Sequence, residues 1–236
     1  MSHTIRPVQI IRGFTRTTPG SVLYRCGETV VLCTVSLENK VPEWMVGRGK
    51  GWITAEYNML PGSTPQRKSR ERSGKIDGRT TEIQRLIGRS FRAIADLEKL
   101  GERSLTIDCD VLQADGGTRT AAITGGMIAL IDAVNSVFKG VSADAYPLRD
   151  SVAAISVGIV DGQPSLDLDY LRDVRADVDM NVVMTGRNKF VEIQGTGEEA
   201  TFDDDELHSL LKLAKQGIEQ LHAEQKRALG NDWPWL

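Results

Sequence analysis

Residues 113–120 read Gln113-Ala114-Asp115-Gly116-Gly117-Thr118-Arg119-Thr120. They follow an alternating run over 104–112 that predicts a β-strand, and they lead into an apolar pattern of helical period over about 118–138. The two glycines permit a tight turn, and the first N–H groups of a helix lack intrahelical partners where the helix dipole is positive. Because Arg119 adds a planar, permanent positive charge, the stretch predicts a phosphate-like anion site at a helix start.

Composition indicates an ordinary soluble globular protein. The 236 residues are 40% hydrophobic and 26% charged, which suits one large domain or two small lobes that share a core. We find no apolar run near the roughly 20 residues of a membrane span and no apolar signal core at the N-terminus, so we expect a cytoplasmic protein without a membrane partner. Three scattered cysteines and three histidines argue against a zinc site or redox chemistry.

The charge distribution is uneven along the chain. The formal net charge of −3 argues against a protein that coats nucleic acid over its whole surface. Residues 67–79, however, contain six basic and two acidic residues. No aromatic residues interleave with this cluster, so it favours contacts to a phosphate backbone over contacts to bases, although a solubilising loop has the same residue types.

The order of the predicted elements indicates the α+β class with a mixed sheet. We interpret residues 1–145 as an N-terminal lobe with the anion site and a basic loop, and 146–236 as a C-terminal lobe of the same compact unit. A long polar loop is predicted over 61–78. The other elements are predicted strands within the first 60 residues and at 104–112, 152–160, 180–184 and 190–193, and predicted helices at about 80–100, 118–138 and 201–229.

A second arginine stands at the start of a predicted helix. Arg79 follows Gly78 as Arg119 follows Gly117 and Thr118. One such arginine is usually a solvated charge, but two of them favour a shared oxyanion site. We therefore expect the two guanidinium groups, the Thr118 hydroxyl and the Gly117 N–H to surround a free phosphate.

Aspartates are concentrated just before the predicted strand 180–184. We interpret Asp167, Asp169 and Asp177 as solvated loop charges. Asp179 differs because it opens a strand that looks buried, where an unpaired carboxylate is costly, so it needs a cation, a metal or a proton as partner. Such a carboxyl can act as a general acid, and a neighbouring one can hold Mg²⁺.

Four longer motifs resemble the bacterial ribonuclease PH family. They are the runs Gly51–Pro61, Gly78–Arg89, Asp108–Thr120 and Asp177–Met184, within a similarity that extends from about Arg6 to Gly230 in the same order. The resemblance implies the ribosomal protein S5 domain 2-like fold of the RNase PH type. It also implies a homo-hexameric ring, a trimer of dimers.

The resemblance further implies a phosphorolytic 3′→5′ exoribonuclease that trims tRNA precursors and other RNA, with inorganic phosphate as co-substrate and nucleoside diphosphates as products. By position, Arg79, Gly117, Thr118 and Arg119 match the family's phosphate site. Asp173 and Asp179 match its catalytic, Mg²⁺-associated aspartates, and its tRNA-contacting loop is matched by Arg67, Arg70, Arg72 and Lys75. Around Asp173 the family has an acidic and a small neighbour, whereas this chain has Arg172, Val174 and Arg175.

Two alternatives remain at this point. A non-catalytic RNA-binding subunit of an exosome-like ring would keep the fold, but retention of the two arginines and two aspartates favours an enzyme. A hydrolytic nuclease would need a denser carboxylate cluster for two metal ions and no pocket for free phosphate.

Overall fold

The computed structural model describes residues 4–70, 77–197 and 200–235. Its first sheet has five strands in the order β1-β2-β3-β5-β4. Neighbouring strands are antiparallel except β4 and β5, which run parallel, so the predicted mixed sheet is confirmed. The strand bounds are Val8–Arg12 (β1), Gly20–Cys26 (β2), Thr29–Glu38 (β3), Trp52–Met59 (β4) and Ser104–Gln113 (β5).

The second sheet is antiparallel, in the order β7-β6-β8-β9. Its strands are Val152–Val160 (β6), Gln163–Leu166 (β7), Ala176–Thr185 (β8) and Phe190–Gly197 (β9). The helices of the described ranges are Gly78–Ala93 (α1), Leu97–Leu100 (α2), Thr118–Phe138 (α3), Tyr170–Asp173 (α4) and Asp204–Leu229 (α5).

Helix α3 lies between the two sheets. It packs against β2 and β3 on one side and against β6 on the other, while α5 covers the opposite face of the second sheet. Strand β6 is therefore buried on both faces, which explains its continuous apolar sequence. The N-terminus of α3 consequently opens at a junction of both sheets.

The prediction that the chain has no apolar segment of membrane-span length is wrong for α3. By length and composition alone, its 21 residues are long and apolar enough to cross a membrane. The helix is largely apolar because most of it is buried between two sheets, as expected for a core helix.

The predicted helix over 80–100 is interrupted. Helix α1 ends at Ala93, and α2 begins only at Leu97. Between them the Arg149 N–H donates to the Ile94 carbonyl and the Asp96 N–H donates to the Pro147 carbonyl, each at 2.7 Å. A distant loop thus satisfies backbone groups that would otherwise continue the helix.

Residues from both predicted lobes contribute to one core. Val152, Ala154, Val183 and Leu229 belong to the same buried cluster as the inner face of the first sheet. The boundary at residue 145 stays a prediction.

Candidate phosphate and RNA site

The turn before α3 depends on two glycines with left-handed backbone. Gly116 has φ +71° and Gly117 has φ +63°, and α3 starts at Thr118. A Cβ atom at Gly116 would also collide with the backbone of Leu168 and Asp169. The loop therefore requires glycine both for its conformation and for the close approach of the aspartate-rich segment.

Hydrogen bonds from Thr29 and Arg6 hold the same loop in place. The Thr29 hydroxyl donates to the Gly116 carbonyl at 2.7 Å and accepts from the Asp115 N–H at 3.0 Å. Arg6 donates to the Asp115 carbonyl at 2.5 Å and to the Asp167 carboxylate at 2.8 Å. Burial by itself lowers the pKa of Arg6, but the Asp167 carboxylate outweighs it and the net pKa is raised.

The interpretation of Asp167 as a solvated charge is wrong. The residue is 5% exposed, and its carboxylate accepts from both the backbone N–H and the guanidinium of Arg6. The Cys26 thiol lies 3.5 Å from the same carboxylate, and burial together with this negative charge raises the pKa of Cys26 to about 12. Asp167 is thus a structural ion-pair partner, and Cys26 is a protonated core thiol.

The hydroxyl of Tyr57, a buried residue of β4, lies beside the start of α3. The Tyr57 hydroxyl is 2.8 Å from the Thr118 hydroxyl in the first turn of α3. Burial raises the pKa of Tyr57, while Thr118, Arg79 and Arg119 oppose the rise. Both positive charges thus favour the ionised form of the Tyr57 hydroxyl, which lies beside the start of α3.

Arg119 is bound to the second sheet through Gln194. Its Nη1 donates to the Gln194 Oε1 at 3.2 Å, and the Gln194 Nε2 donates to the Glu82 carboxylate on α1. Glu82 lies one helical turn beyond Arg79. A chain of hydrogen bonds thus joins α3, β9 and α1 around the predicted phosphate position.

Asp179 is partly buried within β8, which begins at Ala176 rather than at Met180 as predicted. Asp179 pairs with Thr196 of β9, and Asn181 pairs with Gln194. Since side chains two residues apart share a face, Asp179 and Asn181 lie on the same side of the sheet as Gln194. The diagonal from Asp179 to Gln194 is about 7–8 Å.

Within the described ranges, the Asp179 carboxylate has no side-chain hydrogen bond or ion pair. Asp173 is exposed at the end of the short helix α4, which packs against β6 and β8. No group of three or more acidic, histidine or cysteine side chains in the described ranges is arranged to hold a metal ion alone.

The unusual arginines near Asp173 have other partners. Arg172 pairs with Asp169 at 2.9 Å and donates to the Asp167 carbonyl at 2.8 Å. Arg175 lies 3.7 Å from Asp161. Asp169 caps α4, so its interpretation as a purely solvated charge is also wrong, whereas Asp177 is exposed as expected.

The basic segment leaves the first sheet beside the glycine turn. The Ala114 N–H donates to the Ser63 carbonyl at 2.8 Å, which fixes the start of the polar segment next to the end of β5. Arg67 and Arg70 are exposed farther along it. The other two predicted RNA contacts, Arg72 and Lys75, lie outside the described residues.

Sequence reasoning missed Tyr57 and Gln194 as parts of the site. Tyr57 carried a signal, since a tyrosine on the buried face of a strand needs a partner for its hydroxyl. Gln194 has no such signal in the sequence, because the predicted strand ended at Ile193. Only the register of β8 and β9 places Gln194 beside Asn181.

Two family models match the chain. Domain 1 of the 3′ exoribonuclease family matches residues 4–135, and domain 2 matches 150–217. Ribonuclease PH of Rhodopirellula baltica is 64% identical over 230 residues, which cover 95% of this chain and 94% of the relative. Ribonuclease PH of Syntrophomonas wolfei is 57% identical over 227 residues, which cover 96% and 95%.

Solved structures share the fold at low sequence identity. The rice (Oryza sativa) protein Rrp46 superposes with a TM-score of 0.77 at 17% identity and covers 96% of each chain. A chain of the Archaeoglobus fulgidus exosome with RNA bound to the active site gives 0.78 at 21% identity and covers 94% of this chain and 89% of its own length. The predicted fold is confirmed, and the chain belongs to the 3′ exoribonuclease family, ribonuclease PH type.

Proposed function

We propose that the N-terminus of α3 binds the inorganic phosphate with which this phosphorolytic 3′→5′ exoribonuclease attacks RNA. The activity follows from identities of 64% and 57% to two ribonucleases PH over nearly the whole chain. The observation that carries the site is the hydrogen-bonded chain from Arg119 through Gln194 to Glu82. This chain of hydrogen bonds joins the start of α3 to the N-terminal part of α1, the helix that carries Arg79. Helix N–H groups and two guanidinium groups together suit a phosphate dianion.

Phosphorolysis needs alignment and charge neutralisation more than a protein nucleophile. A phosphate oxygen attacks the phosphorus of the last phosphodiester, and the bond from that phosphorus to the 3′ oxygen of the shortened RNA breaks. The product is a nucleoside diphosphate. Because both reactants are anions, Arg79 and Arg119 lower the barrier by holding the nucleophile in line and stabilising the added charge.

Asp179 is our candidate for the proton transfer. The departing 3′ oxygen must gain a proton, and the Asp179 carboxyl lies partly buried on the sheet face that carries Gln194. A carboxyl in this position can deliver the proton directly or through one water molecule. Asp173, at the end of α4, is the second predicted carboxylate of the site.

We also propose Mg²⁺ as a cofactor held by Asp179 and Asp173. Two carboxylates without a third protein ligand suit Mg²⁺, which keeps several waters and takes its remaining ligands from substrate phosphates. When bound, the ion would neutralise phosphate charge beside the two arginines.

The substrate is RNA, and we propose tRNA precursor 3′ ends as its main source. Arg67 and Arg70 are exposed on a segment that starts beside the glycine turn. Cations in this position would guide the phosphate backbone of a 3′ end towards α3. The predicted contacts by Arg72 and Lys75 belong to the same proposal.

We further propose a homo-hexamer in the cytoplasm. Large apolar side chains are exposed on the single chain, among them Trp44, Val46, Leu171 and Val174. Such side chains support association when they form patches. The native mass in solution tests the assembly.

The decisive experiment incubates the protein with a tRNA that carries extra 3′ nucleotides, with and without inorganic phosphate. We expect nucleoside diphosphates only when phosphate is present. Nucleoside monophosphates, or a rate independent of phosphate, would contradict phosphorolysis. RNA binding without any release would favour the alternative of a non-catalytic exosome-like subunit, which the two close relatives support less well.

A further inference from the structure

Gln194 stands between a cation and an anion that belong to different helices. Its Oε1 accepts from Arg119 at 3.2 Å, and its Nε2 donates to Glu82. A guanidinium has only donors and a carboxylate has only acceptors, so the opposite amide orientation would lose both hydrogen bonds. The two charges therefore define the orientation of the amide.

The bridge ties Arg119 to the N-terminal part of α1, the helix that carries Arg79. Arg119 is held directly, and Glu82 lies three residues after Arg79 on α1, one turn along the helix. A shift of Gln194 would therefore change the direction of one guanidinium and the distance between the helix ends that carry both.

A second contact between α1 and β9 does not reach Arg119. The Nη2 of Arg89 donates to both carboxylate oxygens of Glu192 at 2.8 and 2.9 Å. Glu192 and Gln194 share a face of β9, and Arg89 lies two turns beyond Glu82. This contact provides a matched control, because it ties the same two elements together away from the arginines.

We propose that Gln194 is a positioning residue for the phosphate nucleophile, acting through Arg119 and α1. The inference rests on the phosphate site proposed above. A glutamine offers this bridge without adding net charge, so it orients Arg119 without neutralising the charge that phosphate requires. The packing of β9 against α1 would thus fix the direction in which Arg119 holds the phosphate.

The test measures phosphorolysis by the full chain while phosphate and RNA are titrated separately. Gln194→Met keeps the length of the side chain and removes both hydrogen bonds. We expect the KM for phosphate to rise about tenfold, the size of one lost hydrogen bond to a charged group, with the KM for RNA unchanged. Glu192→Gln should leave the KM for phosphate within about twofold, since exposed ion pairs contribute little.

Two further variants distinguish a wrong role for Gln194 from a wrong phosphate site. Arg119→Lys should raise the KM for phosphate, and adding Gln194→Met to it should raise it little further, because coupled residues are not additive. If Arg119→Lys raises this KM but Gln194→Met alone does not, the role of Gln194 is wrong while the phosphate site stands. If neither variant changes it, the phosphate site itself is wrong, and equal effects of Glu192→Gln and Gln194→Met would reduce Gln194 to a general docking contact.

Discussion

The hydroxyl oxygens of Tyr57 and Thr118 lie 2.8 Å apart, across the junction of the first sheet and α3. Tyr57 is 3% exposed, so its hydroxyl depends on this partner for a hydrogen bond. The pair fixes the Thr118 side chain at the first turn of the helix, where phosphate is expected. One buried tyrosine thus connects the core of the first sheet to the proposed chemistry.

Tyr57→Phe tests this connection. Loss of one neutral hydrogen bond of about 1 kcal/mol should raise the KM for phosphate about fivefold. The melting temperature should change little, because the ring still fills its core position. A KM for RNA that rises in parallel would instead indicate a general distortion of the site.

Arg119→Ala should abolish most turnover while RNA still binds. Removing a bidentate donor from an oxyanion-type site costs about 3 kcal/mol in transition-state stabilisation, or roughly a hundredfold in rate. Turnover is followed by nucleoside diphosphate release and RNA affinity by fluorescence anisotropy. An equal loss of RNA affinity would make Arg119 an RNA contact rather than a phosphate ligand.

Asp179→Asn should lower kcat by at least about a hundredfold, the usual contribution of a general acid. The change keeps the shape of the side chain in β8 and removes its proton-transfer and metal-binding capacity. Asp177→Asn is the matched control, since Asp177 is exposed two residues earlier on the same strand. Equal effects of the two variants would contradict a special role for Asp179.

Asp167→Asn should destabilise the fold by about 3 kcal/mol, because it removes the nearer counter-charge of the buried Arg6 guanidinium and leaves only Asp115, 3.8 Å away. Asparagine tolerates the left-handed backbone of this position, where φ is +54°, so backbone strain adds little. Urea unfolding measures the change. Glu38→Gln, which removes an exposed partner of Lys40, should stay within about 0.5 kcal/mol of the parent protein.

Asp108 should make stability depend on pH. Burial, with Glu56 and Asp110 nearby, raises its pKa from 3.8 to about 6. The folded state therefore binds this proton more tightly than the unfolded state, so the free energy of unfolding falls as pH rises from about 4 through 6. Asp108→Asn should increase the free energy of unfolding at pH 7.5 and change it little at pH 4, and a constant difference at both pH values would contradict the assignment.

Local sequence determined the strand, turn and helix around Gly116 and Gly117. The predicted helix 118–138 matches α3, because its bounds depend on a glycine pair and a long uninterrupted helical pattern. The prediction of an anion site at its start rests on the same local geometry. These features need no knowledge of distant residues.

Contacts between residues far apart in the sequence decided where α1 ends and which charged groups are buried or paired. The break between α1 and α2 depends on backbone hydrogen bonds to residues 147–149, and burial of Asp167 depends on Arg6, 161 positions earlier in the chain. Gln194 meets Arg119 only because β8 and β9 pair in one register and α3 is buried between two sheets. The sequence by itself thus determined the glycine turn, the helix that follows it and the charged groups near it, whereas tertiary packing decided where α1 ends and which charges are buried and paired. The physical reason is that backbone conformation follows from neighbouring residues, while the environment of a charge depends on every element packed around it.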